Sequence, residues 1–289
     1  MSKMKKHTLA VFILLCFLTS IMQGQQKSSL LWKIEGKGIK TSYIFGTIHM
    51  MPQKDFVLPQ KVKEAFENSE EIYLELDMDS PEVMQKMMKE MMMGEEDLLS
   101  NHVDSTEYKL LDSYLRENVG LGFAQFNRFK PLYMSSTIMS SMVGKNIASF
   151  EITFVGMAKE ANKELKGIET VSDQMSVFDS ISYEKQLDDL VEMLEDLDET
   201  KELYGKMVEK YKSENIDSLY NFTLKSFDND KKMIDALLHD RNKNWVTKIP
   251  KISKEKTILY AVGAGHLGGE KGIIQLLKEK GFTVTPIIE

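Results

Sequence analysis

The chain is almost without cysteine. Its one thiol among 289 residues, Cys16, lies in the apolar run "LAVFILLCFLTSIM" near the start. A single thiol cannot form an internal disulfide. Should that run be removed, cysteine nucleophiles and thiolate metal sites are excluded as well. Any metal would then rest on histidine, carboxylate or backbone oxygen. Histidine is scarce too. There are five, and His7 belongs to the same leading segment. Six prolines and seventeen glycines are too few and too scattered for a low-complexity linker. No basic cluster follows residue 40 or so, and the formal charge is -7. That balance argues against nucleic acid or an anionic membrane as partner.

The first 25 residues read as a targeting segment. Lys3, Lys5 and Lys6 precede the apolar run, and the polar, small-residue stretch "QGQQKSS" follows it. The expectation is a signal peptide over 1–25, cleaved near Gly24, and a secreted or periplasmic chain over 26–289. No stable membrane insertion is expected after cleavage. Cys16 follows Leu14 and Leu15 rather than small residues, which argues against lipidation.

Beyond the leader, "LLWKIEGKGIKTSYIFGTIH" reads as a hairpin of Leu31–Glu35 and Ser42–Phe45. A helical pattern and the strand "EIYLELDMD" follow. The stretch from about 80 to 250 is mainly helical, opened by Ser80 and Pro81 as cap and first helical residue and interrupted by the strand "LKGIE". One long acidic helix is expected over "YEKQLDDLVEMLEDLDETKELYGKMVEKYKS". The end is strand Thr257–Val262, the helix "EKGIIQLLKEKG", and strand "FTVTPIIE". The two ends share one plan: strand, G-x-x-H, helix, strand. The predicted fold is α/β, a mixed central sheet from two such units with a large helical insertion.

Two of the four remaining histidines, His49 and His266, stand three places after a strand glycine, Gly46 and Gly263. Glycine permits torsions closed to other residues and lets a neighbour approach the backbone. A neutral imidazole can bind a divalent transition metal or act as a base. Glu75 and Asp77 lie at i and i+2 of a predicted strand and so share a face. One would ligate metal and the other serve as base or support the ligands. Glu169 ends the strand "LKGIE" in the same way. Arg241 and Asn242 share a predicted helix with Trp245, and the arginine could neutralise a carboxylate or hold an oxyanion. His102 and His239 are read as surface residues. The methionine-rich "MQKMMKEMMMG" is read as pliable core or an adaptable apolar binding surface rather than a Cu(I) site.

The segments "YIFGTIHMMP", "IYLELD", "RFKPLYM", "LKGIETVSDQ", "DRNKNW" and "YAVGAGHLGGEKGIIQLLKEKGFTV" resemble the TraB/PrgY/GumN family, whose broad group includes the animal Tiki metalloproteases. The resemblance implies a metallohydrolase centre and carries over His49, Glu75, His266, Arg241 and Asn242, with His49, Glu75 and His266 on a divalent ion; Glu75, Arg241 and Asn242 would serve catalysis together with Asp77 and Glu169, the acids read from the strand ends. By the Tiki likeness the ion is Mn or Co; ligand chemistry equally admits Zn. The expected partner is a peptide or protein substrate. At one place the chain departs from the family: Glu151 stands where relatives often carry aspartate, which leaves its role open. Rival readings are a non-enzymatic peptide-binding or regulatory protein, and a metal- or haem-binding protein.

Overall fold

The computed structural model describes residues 28–288. The proposed signal peptide and Cys16 lie outside them. Eight strands and their helices follow one another as β1 (Leu31–Glu35), β2 (Ser42–Thr47), β3 (Met51–Pro52), α1 (Gln60–Glu67), β4 (Glu71–Leu74), α2 (Pro81–Glu90), α3 (Ser105–Asn118), α4 (Pro131–Val143), β5 (Ile147–Ala148), α5 (Phe150–Glu160), β6 (Glu164–Gly167), α6 (Val171–Phe178), α7 (Tyr183–Glu195), α8 (Leu197–Lys212), α9 (Ile216–Ser226), α10 (Lys231–Ile234), α11 (Asp240–Ile252), β7 (Ile258–Gly263), α12 (Ile273–Glu279) and β8 (Thr283–Pro286).

Six strands form a mixed sheet in the order β6-β4-β7-β2-β1-β8. The α/β class and the mixed sheet read from the sequence are both present. β6, β4, β7 and β2 run parallel to one another, while β1 is antiparallel to β2 and β8. β7 sits centrally, and Ile258 to Val262 are all buried. This is the uninterrupted apolar run expected of a parallel strand covered on both faces. Trp32, Phe45, Trp245 and Tyr260 are among the largest side chains closed into the sheet's core.

Four sequence expectations change. The strand over "EIYLELDMD" ends at Leu74. The strand that interrupts the insertion, β6, leaves it and pairs at the edge of the main sheet. The long acidic helix is two, α7 and α8, broken at Asp196. A small second sheet of β3 and β5, not read from the sequence, joins the segment after His49 to the insertion. The insertion has its own core, with Leu111, Leu115, Phe123, Phe126, Leu187 and Leu190 packed together. Ser80 does cap α2, accepting from the Val83 N–H, with Pro81 in the first turn. Among the described residues no helix is long and apolar enough to cross a membrane.

Candidate functional site

The parallel strands bring four of the candidate side chains to one edge of the sheet. Thr47 and Gly263 are partners at the ends of β2 and β7, so His49 and His266 both follow that edge. Leu74 and Gly167 are partners at the ends of β4 and β6, so Glu75 and Glu169 follow it too. Ligands of open α/β sheets sit at such carboxyl edges.

The two glycines of the G-x-x-H frames work by close approach rather than by unusual torsions; neither has a positive φ. A Cβ on Gly46 would stand 2.8 Å from Leu267 Cδ1 and 3.0 Å from Ala264 Cα, so this glycine lets the segment after β7 lie against β2. A Cβ on Gly263 would stand 3.3 Å from Glu75 Oε1, 3.6 Å from His266 Cδ2 and 3.7 Å from His49 Nε2. Gly263 is the floor on which the two imidazoles and the carboxylate meet.

Each histidine is held by its Nδ1. His266 Nδ1 is 2.7 Å from Asn242 Oδ1, and Asn242 Nδ2 donates to the backbone oxygens of His266 and Lys271. With both amide hydrogens committed, the amide oxygen faces the ring, so His266 carries its proton on Nδ1. The ring packs on Trp245 at 4.5 Å. Burial, with Arg241 nearby, pushes the His266 pKa down to about 3, so the ring is neutral. His49 Nδ1 is 2.9 Å from Glu151 Oε1, which also accepts from Thr47 Oγ1, while Glu151 Oε2 accepts from Ser149. The His49 side chain is 63% exposed, at the mouth of a cleft. Crowding there works against its charged form, but the bond to Glu151 and the charges of Glu75 and Glu151 lift its pKa to about 9. The upward direction follows from these two carboxylates, which act whatever solvent the ring also meets.

Arg241 ties the carboxylates together. Its Nε and Nη2 donate to Glu169 at 3.1 and 2.6 Å, Nη2 donates to Glu75 at 2.6 Å, and Nη1 donates to Leu237 O and His266 Nε2 at 3.0 and 3.2 Å. A guanidinium has five N–H groups, and all five are engaged. The oxyanion role expected of Arg241 therefore has no free donor in this arrangement. One guanidinium serves two carboxylates, which respond differently. Burial raises the Glu169 pKa despite the ion pair. Burial also pushes Glu75 up, but Arg241 and the two imidazoles draw it down to about 2. Glu169 also accepts from Trp245 Nε1.

The site thus gathers His49, Glu75, Glu169, Arg241, Asn242 and His266. It does not gather Asp77. Because β4 ends at Leu74, the i, i+2 alternation lapses, and Asp77 lies beside Asp79, where burial and that neighbour raise its pKa to about 6. Glu151, whose role the sequence left open, belongs to the site through His49. His239 is not a surface residue: it is buried between Tyr220 and Asp235. His102 is largely covered as well, between Asp97 and Glu184. The missed signal was the acid four places before His239 on one helical run, Asp235, which pairs with it.

The donor set suits a divalent ion in kind. Both imidazoles are fixed through Nδ1, which turns Nε2 inward, the arrangement that orients metal-binding histidines. Glu75 Oε1 stands 4.0 Å from His266 Nε2 and accepts from Gly263 N–H. What now faces the His266 lone pair is Arg241. Among the described residues no group of three or more His, Cys, Asp and Glu side chains is arranged to hold an ion as it stands.

From the His49 side a cleft of about 740 Å³ runs beneath α2 and α6, lined by Met78, Met87, Met91, Leu132, Met175 and Phe178 among others. The methionine-rich helix α2 has no buried residue, so it is a surface rather than core.

Comparison with known proteins gives the site a context. The profile described as the TraB/PrgY/gumN family matches residues 30–286. "Metalloprotease TIKI1" of Danio rerio is 22% identical over 89% of this chain and 63% of its own length. "Metalloprotease TIKI1" of Xenopus tropicalis is 22% identical over 90% and 61%, and "Metalloprotease TIKI2" of the same species 20% over 89% and 59%. The chain therefore spans about three fifths of the length of these curated relatives. No solved structure matches it.

Proposed function

The chain belongs to the TraB/PrgY/gumN family, and on that premise we propose that it is a metal-dependent hydrolase acting on peptide bonds. The observation that carries this reading is the meeting of His49 Nε2, Glu75 Oε1 and the His266 ring over Gly263. The names of the relatives, all metalloproteases, point the same way. His49, Glu75 and His266 would hold the ion, taken as Mn, Co or Zn. Such an ion lowers the pKa of a bound water and polarises a carbonyl.

The remaining residues prepare this chemistry. Glu151 keeps the Nδ1 side of His49 engaged and Asn242 keeps that of His266, so both rings present Nε2 inward. Trp245 and Glu169 hold the arginine and the second ring in place. Arg241 restrains Glu75. Were His266 Nε2 to hold the ion, the Arg241 Nη1 hydrogen it now accepts would be left without that partner, and this donor would be available to a substrate oxygen. His49, the most open of the set, borders the incoming substrate. The same reading takes the basic and apolar start of the chain as an export signal and places the mature protein outside the cytoplasm.

The test uses chain purified without a histidine tag. Metal is measured by mass spectrometry, and cleavage of a peptide library is followed with and without chelator. Bound metal near one per chain with chelator-sensitive cleavage is expected. Cleavage that ignores the chelator refutes the metal dependence. Peptide binding by metal-loaded chain with no cleavage refutes the enzyme and favours a binding protein.

A further inference from the structure

One wall of the cleft is backbone. Among the described residues β5 pairs on one side only, with β3, Ala148 opposite Met51 and Ile147 opposite Pro52. Gln53 N donates to Asn146 O at 2.9 Å, so these two residues form a hydrogen-bonded pair. Such pairs alternate along an antiparallel ladder with pairs that are not hydrogen-bonded. Ile147 and Pro52 are therefore of the second kind, which is where a proline, lacking its N–H, is tolerated. It follows that the N–H and C=O of Ile147 point away from β3. Neither finds another partner among the described residues. Ile147, Ala148 and Ser149 line the cleft while Met51 and Pro52 do not, so β5 is the strand of this pair that borders it, with its unpaired side away from β3.

The charge of the cleft is as uneven as its hydrogen bonding. Among the described residues its only ionisable linings are His49, Glu75, Glu151 and Arg241, all members of the site; every other lining residue is uncharged, with methionine, leucine, isoleucine and phenylalanine prominent. The occupant beyond the site is therefore apolar. Its volume falls within the range of sites that enclose a ligand. An acyl chain would fill that space but leave the Ile147 donor and acceptor facing hydrocarbon, which is costly. A peptide in strand conformation meets both demands, with main-chain groups toward β5 and alternate side chains into the apolar wall. Methionine side chains adapt to more than one apolar shape.

We infer that the site takes its substrate as an extended apolar peptide segment, added as a strand to the open edge of β5 with alternate side chains in the methionine-lined cleft. This rests on the peptidase reading and adds the class of peptide and how it is held. The edge leads to Ser149 and Glu151 and so to His49, which delivers the segment to the reacting end.

The test is binding rather than turnover. The probe is a fluorescein-labelled decapeptide of alternating leucine and serine, titrated by anisotropy with full-length His49→Ala chain, in which cleavage is disabled. Replacing leucine by glutamate is expected to weaken binding at least tenfold. N-methylation of one alternate set of residues should weaken it about tenfold, the loss of main-chain bonds, while N-methylation of the other set has little effect. Ile147→Pro, which removes the outward N–H and leaves the β3 ladder its bonds, should weaken the parent peptide similarly. Equal affinity for the leucine and glutamate peptides overturns the inference. So does indifference to both N-methyl patterns, or binding of dodecanoate with no binding of the peptide. A chain that shows both preferences yet cleaves no peptide when metal-loaded refutes the peptidase reading alone. A metal-loaded chain that cleaves peptides without either preference refutes this inference alone.

Discussion

Replacing Arg241 by methionine removes a cation of similar length and leaves its partners behind. The Glu169 side chain is 1% exposed and Glu75 9%, and the arginine itself is 12% exposed. Two carboxylates would then share a nearly dry recess with only His49, at its mouth, as counter-charge, and Leu237 O and His266 Nε2 would lose their donor. Taking one partner from a buried ion pair costs about 3–5 kcal/mol. Set against about 5–15 kcal/mol for a whole domain, the loss is readily measured. Urea denaturation followed by tryptophan fluorescence suits it, since Trp245 donates to Glu169. The loss also has a pH signature. The Glu169 pKa is already raised by burial, and without Arg241 it rises further. A carboxylate with a raised folded pKa destabilises the fold above that pKa, and protonation relieves it as pH falls. The gap between wild type and variant should be widest at neutral pH and narrow toward pH 5. Adding Glu169→Gln to Arg241→Met should recover part of the loss, because the pair is coupled. A cost under about 1 kcal/mol at pH 7, where the buried pair predicts several, would sink the argument; so would a gap that ignores pH.

Gly263→Ala should remove most activity at little cost in stability, since its methyl would crowd Glu75 Oε1 at 3.3 Å; turnover and melting temperature measured together decide it. Gly46→Ala should do the reverse and destabilise by about 1–3 kcal/mol through overpacking against Ala264 and Leu267, and an unchanged melting temperature would count against it. Glu151→Gln leaves the cleft in shape but loosens His49, and metal affinity by titration calorimetry should fall about 10- to 100-fold; unaltered affinity would remove Glu151 from the site. Burial lowers the His102 pKa, but Glu184 and Asp97 outweigh it and raise it above 6.5. Its contribution is thus full below that value and lost as pH rises through the folded pKa, so His102→Gln should cost stability at pH 6 and much less at pH 9 in urea titrations.

Periodicity carried the sheet and the paired histidines. β7 reads as a buried strand because Ile258 to Val262 are apolar without a break, and the repeated G-x-x-H marks two strand ends. What the sequence could not give was which ends lie side by side, since the partners Thr47 and Gly263 are more than two hundred residues apart. Glu75 came through because it directly follows a strand. Asp77 misled because the same alternation was carried past Leu74, where the chain has already turned. His266 looked like a residue just beyond a core strand, yet it is buried at 4% exposure between Trp245 and Asn242. Its truncation to alanine therefore removes packing as well as chemistry. Asn242, named through the family resemblance, and Glu151, left open by it, both hold the histidines by hydrogen bonds, and no local pattern encodes such bonds.

The place of β7 has a consequence for how the molecule is made. It lies between β2 and β4, yet it is synthesised after both and after the whole insertion. Until Ile258–Gly263 leaves the ribosome, β2 and β4 have no shared neighbour, and each presents an edge able to pair with another chain. Long-range parallel pairing of this kind is slow to form. His49 and Glu75 can then meet His266 only after nearly all of the chain has emerged, so partly made copies should lack the assembled site. Entry of β7 joins the two halves of the sheet and assembles the site's side chains in one event, leaving only β8 to add at the far edge.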